Sequence, residues 1–263
     1  MELSIIQEYG QNIEKYLKLD TSIIALKLLR SKKDIPLNTK RPKKDFGYHL
    51  SLCQGLGITR REKIPISLLK DDMWCVEPVI GLGLAEPPQY FLEGHNRYPL
   101  TASSLEAGKT WAQSFPRFEV GEYIGVSFAP LAETNFIPDL IILYCTPAQL
   151  TQIMVTVNWI DGKDINCLIS GHAACVYSIV TPIKNNNFQI SVPCMGDRTK
   201  GMTQNNELIF SFPLDKLADL NNGLESLSKT GEGLPVKFSI QPEYKLTESY
   251  IKIGKLMGMD FDK

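Results

Sequence analysis

The sequence lacks the local motifs that identify the common cofactor and nucleophile sites. No glycine-rich dinucleotide fingerprint opens a helix after a strand, because Gly81-Leu82-Gly83 runs on into Leu, Ala, Glu and Pro. There is no phosphate-binding P-loop and no Gly-x-Ser-x-Gly nucleophile elbow. No two cysteines form a Cys-x-x-Cys pair, which excludes a zinc ribbon or a thioredoxin-type motif. Any site must therefore be assembled from separate parts of the chain.

A charge imbalance and a long apolar run are also missing. The 28 Lys and Arg residues balance 29 Asp and Glu residues, so there is no general attraction to nucleic acid or to an anionic membrane. No uncharged apolar stretch approaches the roughly 18 residues of a membrane span, and the first 19 residues are too polar for a signal peptide. We therefore expect a cytoplasmic protein without nucleic-acid or membrane partners, in which cysteines stay reduced.

The chain of 263 residues has the 43% hydrophobic and 22% charged residues of an ordinary globular protein. The patterns predict helices at 3–18, 45–57, 103–114, 148–160, 173–182, 214–228 and 244–258. They predict strands at 21–29, 64–69, 122–131, 139–145, 165–169, 188–192 and 208–212. This irregular alternation predicts an α+β (mixed α/β) fold in a single domain over 1–263. Its sheet would be mixed or largely antiparallel and covered by helices, with the first and last helices packed on it.

Residues 74–94 form an unusual segment, because apolar residues alternate there with three glycines and three prolines. This composition is typical of a buried but irregular segment, and such segments often line binding sites.

The six cysteines divide into two groups by their surroundings. Cys145 and Cys167 lie inside apolar strand patterns and are predicted to be core residues. The other four lie near glycines or at expected turns, and they are Cys53, Cys75, Cys175 and Cys194. Exposed turn N–H groups can bond a thiolate or a cluster sulfur, and four thiolates suit an iron–sulfur cluster or zinc. Their gaps of 22, 100 and 19 residues carry no ligand signature. Reduced cysteines scattered through core and loops are the alternative.

Two of the three histidines lie near these cysteines. His49 precedes Cys53 by four residues, which would place both on one helical face, and His172 precedes Cys175 by three. Each pair could form a mixed nitrogen–sulfur metal site or a His-activated cysteine. A capping histidine and a packed histidine are the alternative.

Three further residues are candidates for acid–base or anion-binding roles. Arg198 could hold a carboxylate or phosphate through two hydrogen bonds, with Asp197 orienting it, although a turn with a local ion pair explains them equally well. Glu77 lies beside Cys75 and could act as a general acid or base. A basic run could form either a solvated surface or an anion-attracting rim near Cys53. It consists of Lys40, Arg41, Lys43 and Lys44, followed by Arg60, Arg61 and Lys63.

The order of these motifs resembles an uncharacterised family. Cys53 near the end of an early helix is followed by Cys75 with Gly-Leu-Gly-Leu, by APL and PDLIILYCTPAQ, then by SGHAAC and PCMGDR. This combination resembles domain-of-unknown-function family 169, also labelled ArCR, over about residues 20–245. The resemblance implies that the four cysteine positions and the Gly-Asp-Arg after the last are typical of members. The family is found largely in archaea and anaerobic bacteria, which fits an oxygen-sensitive thiolate cofactor, but it brings no established reaction.

Three functions remain open from the sequence. In the first, the four cysteines hold an iron–sulfur cluster for reductive or sulfur-handling chemistry on a small anionic substrate, in an enzyme or an electron carrier. In the second, Trp74, Tyr90 and Phe91 line an apolar pocket for a small ligand, a corrinoid or a tetrapyrrole. In the third, zinc stabilises a partner-binding protein. A small-molecule ligand or a redox partner is expected, and the protein could be a homo-oligomer.

Overall fold

The computed structural model describes residues 1–231, 233 and 245–259. One six-stranded sheet runs through it in the order β2-β3-β1-β4-β6-β5. The strands are β1 (Ile24–Leu29), β2 (Ile66–Leu69), β3 (Gly125–Pro130), β4 (Leu140–Cys145), β5 (Gln189–Ser191) and β6 (Leu208–Pro213). Every neighbouring pair in this order is antiparallel. The predicted α+β fold with a largely antiparallel sheet is therefore confirmed.

Helices cover both faces of the sheet. They are α1 (Leu3–Leu17), α2 (Leu52–Glu62), α3 (Val76–Gly81), α4 (Gln89–Leu92), α5 (Leu105–Ser114), α6 (Pro147–Asp161), α7 (Ala174–Asn185), α8 (Met195–Lys200), α9 (Leu217–Thr230) and α10 (Glu248–Leu256). Successive side chains of a strand point to opposite faces, so Ile142 and Tyr144 enter the core beneath α2 and α7, and Ile141 and Leu143 enter the core beneath α1, α6 and α9. Strands buried on both faces read as continuous apolar runs, which is why they were recognisable in the sequence.

Helix α6 begins where the sequence predicts, whereas α2 does not. Thr146 and Gln149 cap α6 reciprocally and Pro147 occupies its first turn. The predicted helix over 45–57 is wrong. Residues 42–46 form one π-helical turn, and Ser51 caps a helix that begins at Leu52, with Gln54 bonding back to the Ser51 N–H.

The predicted strand over 165–169 is also wrong, because residues 163–170 form no regular element. They run beside the edge strand β5 and contact it through side chains instead of a backbone ladder. The Cys167 sulfur accepts a hydrogen bond from the Ile190 N–H at 3.1 Å, and the Gln189 amide donates to the Leu168 carbonyl at 2.9 Å. Cys167 is therefore partly exposed, which corrects its prediction as core, whereas Cys145 is buried as predicted.

Two other segments differ from the prediction in detail. The segment over 74–94 contains the short helices α3 and α4, so it is less irregular than predicted. The last predicted helix began at Tyr244, which lies outside the described residues. The described helix α10 leaves Tyr250, Ile253 and Leu256 largely exposed.

A buried ion pair fixes α2 to the centre of the sheet. Arg60 is fully buried and donates to both carboxylate oxygens of Glu207, at 2.5 and 3.0 Å. Its guanidinium carbon lies 3.8 Å from the centre of the Tyr144 ring on β4. Arg60 therefore belongs to the interior and not to the anion-attracting rim that the basic run could have formed.

We predict that replacing Glu207 with Gln destabilises the protein by about 3–5 kcal/mol, because an uncompensated guanidinium would stay buried. Urea unfolding of the metal-free protein measures the loss. The matched control is Glu133→Gln, since Glu133 pairs with Lys63 where both side chains are more than half exposed, at 56% and 60%. That variant should lose no more than about 1 kcal/mol. Equal losses in the two variants would contradict the importance of the buried pair.

Candidate cofactor site

Two of the predicted cysteines meet where α2 packs against α8. Cys53 lies in the first turn of α2, not near the end of a helix as predicted, and Cys194 immediately precedes α8. The two helices touch through glycine backbones: a Cβ on Gly57 would lie 2.6 Å from the Gly201 carbonyl oxygen, and one on Gly201 would lie 2.9 Å from that of Cys53. The Cys53 thiol also donates to the Gly196 carbonyl at 3.7 Å. This approach depends on residues without side chains.

The other two cysteines meet where α3 packs against α7. Cys75 immediately precedes α3, and Cys175 lies in the first turn of α7. A Cβ on Gly81 would lie 2.3 Å from a Val176 methyl carbon, so α3 can approach α7 this closely only with glycine at that position. Ala173, just before α7, has a left-handed backbone with φ of 49°. Such strain in a non-glycine residue is concentrated at functional sites.

The four thiols lie within electrostatic range of one another. Burial raises the pKa of Cys175 well above its ordinary value, and neighbouring Cys53, Cys194 and Cys75 raise it further. Burial raises the pKa of Cys53 to about 12 against a hydrogen bond with Ser51, with Asp197 and Cys194 adding to the rise. Burial, then Glu77 and then Cys53, raise the pKa of the Cys75 thiol. The thiols of Cys53, Cys75 and Cys194 thus each contribute to the electrostatic surroundings of Cys175.

The remaining two cysteines lie apart from this group. Burial raises the pKa of Cys145 to about 12, and its charged neighbour is Glu207. Burial raises the pKa of Cys167 against the hydrogen bond from Ile190. No thiol contributes to either shift, so these two cysteines serve as internal controls for the group of four.

Burial is the main cause that favours the neutral form of the Cys53 and Cys75 thiols, and the two differ in their hydrogen bonds. Cys53 and Ser51 share one at 3.0 Å, and the Cys75 thiol donates to Glu77 Oε2 at 3.2 Å. Among the residues that the structure describes, no three His, Cys, Asp or Glu side chains are arranged to hold a single metal ion. The donor set is soft, since it consists of sulfur atoms, and it suits thiophilic metals.

Asp197 and Arg198 point in different directions. Asp197 is completely buried and accepts hydrogen bonds from the Tyr144 hydroxyl at 3.4 Å. Burial raises its pKa to about 6, against hydrogen bonding from Thr203 and the charge of Arg60. Arg198 instead donates to the Gln204 carbonyl at 2.6 Å. Asp197 therefore lies below the thiols, within electrostatic range of Cys53 and Cys175.

A polar chain leads from Cys75 through Glu77 to Arg97 and Trp111, which the sequence did not single out, and to His172, which it did. Glu77, which accepts from Cys75, lies 3.4 Å from Arg97 Nη2. Arg97 Nη1 lies 3.3 Å from His172 Nδ1, and its guanidinium carbon lies 3.8 Å from the centre of the Trp111 ring. Since Arg97 can only donate, His172 Nδ1 accepts. Burial and Arg97 lower the pKa of His172, which keeps its ring neutral at pH 7.

Other predicted site residues do not join the group. His49 is exposed and precedes α2, so His49 and Cys53 do not share a helical face as predicted. Trp74 and Tyr90 are exposed, whereas Phe91 is buried against Trp111 and Phe115. The three rings proposed for an apolar pocket are thus divided between surface and core.

The rest of the basic run is also partly neutralised. Arg41 pairs with Asp72, and Arg61 bonds the Met202 carbonyl at 2.9 Å. Lys63 pairs with Glu133. A cation outside this run, Arg97, lies within electrostatic range of Cys194 and Cys75. Its only sequence signal was a basic residue in the turn-rich stretch after the segment over 74–94.

No helix among the described residues is both long and apolar enough to cross a membrane.

Comparison with known proteins identifies a relative of this chain. The chain is 24% identical over 228 residues to an uncharacterised protein of Methanocaldococcus jannaschii, covering 86% of this chain and 96% of that protein. No solved structure matches the chain.

A match to a whole protein family also covers most of the chain. Residues 12–223 match the family described as Uncharacterised ArCR, a region that includes all six cysteines. It begins before and ends before the region of about 20–245 that the resemblance suggested, and α10 lies beyond it. Because this match covers most of the chain, the protein belongs to the uncharacterised ArCR family.

Proposed function

We propose that this protein binds an iron–sulfur cluster and uses it in reductive or sulfur-handling chemistry on a small anionic substrate. The ligands would be Cys53, Cys75, Cys175 and Cys194. The observation that supports this is their position at the start of four different helices around one electrostatic neighbourhood, with Cys145 and Cys167 outside it. Four sulfur donors are the usual ligand set of such clusters.

The surroundings of the thiols suit this cofactor. Cys53 and Cys175 are buried, while Cys75 and Cys194 are partly exposed, which leaves a side open to solvent or substrate. Arg97 lies within electrostatic range of Cys75 and Cys194, where its charge would offset that of thiolate ligands. When bound, such a cluster supplies electron transfer, or a Lewis-acidic iron if one of its ligands is absent.

Binding requires the thiols to lose their protons, because the thiolate is the ligand. Glu77 Oε2 already accepts the Cys75 proton at 3.2 Å, so it is placed to remove it. We propose this proton transfer as the acid–base role of Glu77. Asp197, buried below the thiols and bonded to Tyr144, would position the start of α8 and therefore Cys194, and Arg198 would steady the following loop.

The proposal extends to surroundings and partners. Reduced thiols and an oxygen-sensitive cofactor favour the cytoplasm as the compartment. A redox partner or a small-molecule ligand would approach the side of Cys75 and Cys194, and association into homo-oligomers is compatible with this.

Anaerobically purified protein should contain iron and sulfide in equal amounts, up to about four of each per chain. Each of the Cys→Ser variants at positions 53, 75, 175 and 194 should weaken iron binding by about 10- to 100-fold, since losing a direct ligand costs at least as much as losing an outer partner. Metal analysis and visible spectra check this. Cys167→Ser is the control and should keep its iron. Zinc in place of iron would select the zinc-stabilised protein, and protein without either metal under these conditions would refute the proposal.

Cysteine alkylation followed by peptide mass spectrometry tests the ligand set independently. In metal-free protein the partly exposed Cys194 and Cys167 should both react with iodoacetamide, because both sulfurs are accessible. Cys53 and Cys175 should react at least about 10-fold more slowly, since burial raises their pKa and the thiolate is the nucleophile. Assembly of the cluster should protect Cys194 and leave Cys167 reactive. Equal protection of these two residues after cluster assembly, or equal reactivity at that stage, would exclude Cys194 as a ligand.

A further inference from the structure

A cavity lies at Arg97. Its volume is about 250 Å³, and its lining includes Arg97, Trp111, His172, Thr101 and Ser103. Binding cavities for drug-sized ligands run from about 300 to 1,000 Å³, so this one suits a smaller molecule. Its link to the thiols is the chain of contacts from Arg97 through Glu77 to Cys75.

Within the part of the chain that the structure describes, this cavity wall carries hydrogen-bond donors without acceptors. Arg97 Nε, Arg97 Nη2 and Trp111 Nε1 are buried and have no hydrogen-bond partner. The Arg97 side chain is only 11% exposed. Leaving a buried donor unpaired costs about 1–3 kcal/mol, and more for a charged group. Three such atoms in adjacent side chains therefore indicate an acceptor ligand.

The identity of the free atoms indicates the shape of that ligand. Nε and Nη2 form one edge of the planar guanidinium, and their N–H bonds are parallel. This edge matches the two oxygens of a carboxylate. The other terminal nitrogen, Nη1, is already directed at His172 Nδ1. Trp111 Nε1 adds a donor, and the Thr101 and Ser103 hydroxyls can donate or accept.

The charges around the cavity indicate a monoanion. Glu77 lies 3.4 Å from Arg97 Nη2 and already compensates part of its charge, although without a well-formed hydrogen bond. The neutral His172 adds no positive charge. Glu77 would repel a phosphate dianion more strongly than a monocarboxylate, and Arg97 is the one cation among the described residues that line the cavity.

We propose that this cavity binds a small monocarboxylate on the Nε–Nη2 edge of Arg97, with Trp111 Nε1 as an additional donor. This proposal gives the substrate class for the proposed function. It rests on the proposed function only for the statement that the bound molecule is a substrate of the thiol site. Arg97 takes the anion-binding role that the sequence predicted for Arg198, because Arg198 donates to the Gln204 carbonyl instead.

Titration of metal-free protein with ¹³C-labelled acetate, followed by NMR, tests the proposal. We expect saturable binding that Arg97→Gln weakens by about 10- to 100-fold, as for loss of a charged two-point hydrogen bond. Arg97→Lys should also weaken it, because an ammonium lacks the planar fork. Trp111→Phe should weaken it by about 5-fold, as for loss of one neutral hydrogen bond. Thermal unfolding of each variant checks that the fold is retained.

Arg117→Gln is the matched control. Arg117 is also partly buried with an unpartnered nitrogen, but it lines a different cavity together with Glu86 and Glu119. Acetate binding should be unchanged in this variant. Absence of saturable acetate binding, equal weakening by the Arg97 and Arg117 variants, or tighter binding of inorganic phosphate than of acetate would overturn the proposal.

One further variant distinguishes the proposed carboxylate site from the proposed iron–sulfur site. Cys53 is not among the described residues that line the cavity, so Cys53→Ser should keep acetate binding while it loses iron. Acetate binding without iron in the wild-type protein would support the cavity and contradict the cluster. Iron without acetate binding would do the reverse.

Discussion

Burial of the Arg60 charge is the constraint on which the site depends. A guanidinium inside a protein requires a partner of opposite charge and satisfied donors. Glu207, just before β6, provides the opposite charge, and the guanidinium of Arg60 packs over the ring of Tyr144 on β4. Tyr144 in turn donates to Asp197 of α8. One buried cation therefore positions α2 and, through Tyr144 and Asp197, α8, which are the two helices that present Cys53 and Cys194.

Close helix packing completes the site on one face of the sheet. Gly57 and Gly201 allow α2 to touch α8, and Gly81 allows α3 to touch Val176 of α7. Each contact joins two helices that carry a cysteine at or next to their first residue. The second core, beneath α1, α6 and α9, contains none of the four cysteines.

The sequence predicted the sheet well because strands buried on both faces are continuous apolar runs, and it predicted α6 through its cap and proline. It failed where local patterns compete. The run over 165–169 is apolar but lies beside a sheet edge, and the capping signal at Ser51 was overlooked within a longer helical pattern. The choice of four cysteines came from their turn settings. Their arrangement could not be predicted, because it depends on contacts between Gly57 and Gly201 and between Gly81 and Val176, which lie far apart in the sequence. Arg97 had no pattern to mark it.

The polar chain links the cavity to the thiols energetically. Glu77 stands between them, since it accepts the Cys75 proton and lies 3.4 Å from Arg97. A carboxylate bound to Arg97 would compete with Glu77 for the same cation, so the negative charge of Glu77 would be less well compensated. Ionisation of Cys75 would in turn alter the charge near Arg97. Because coupling between two sites is reciprocal, binding of an anion at Arg97 and ionisation of Cys75 would each change the free energy of the other. The proposed anion site and the thiols would therefore act as one electrostatic unit.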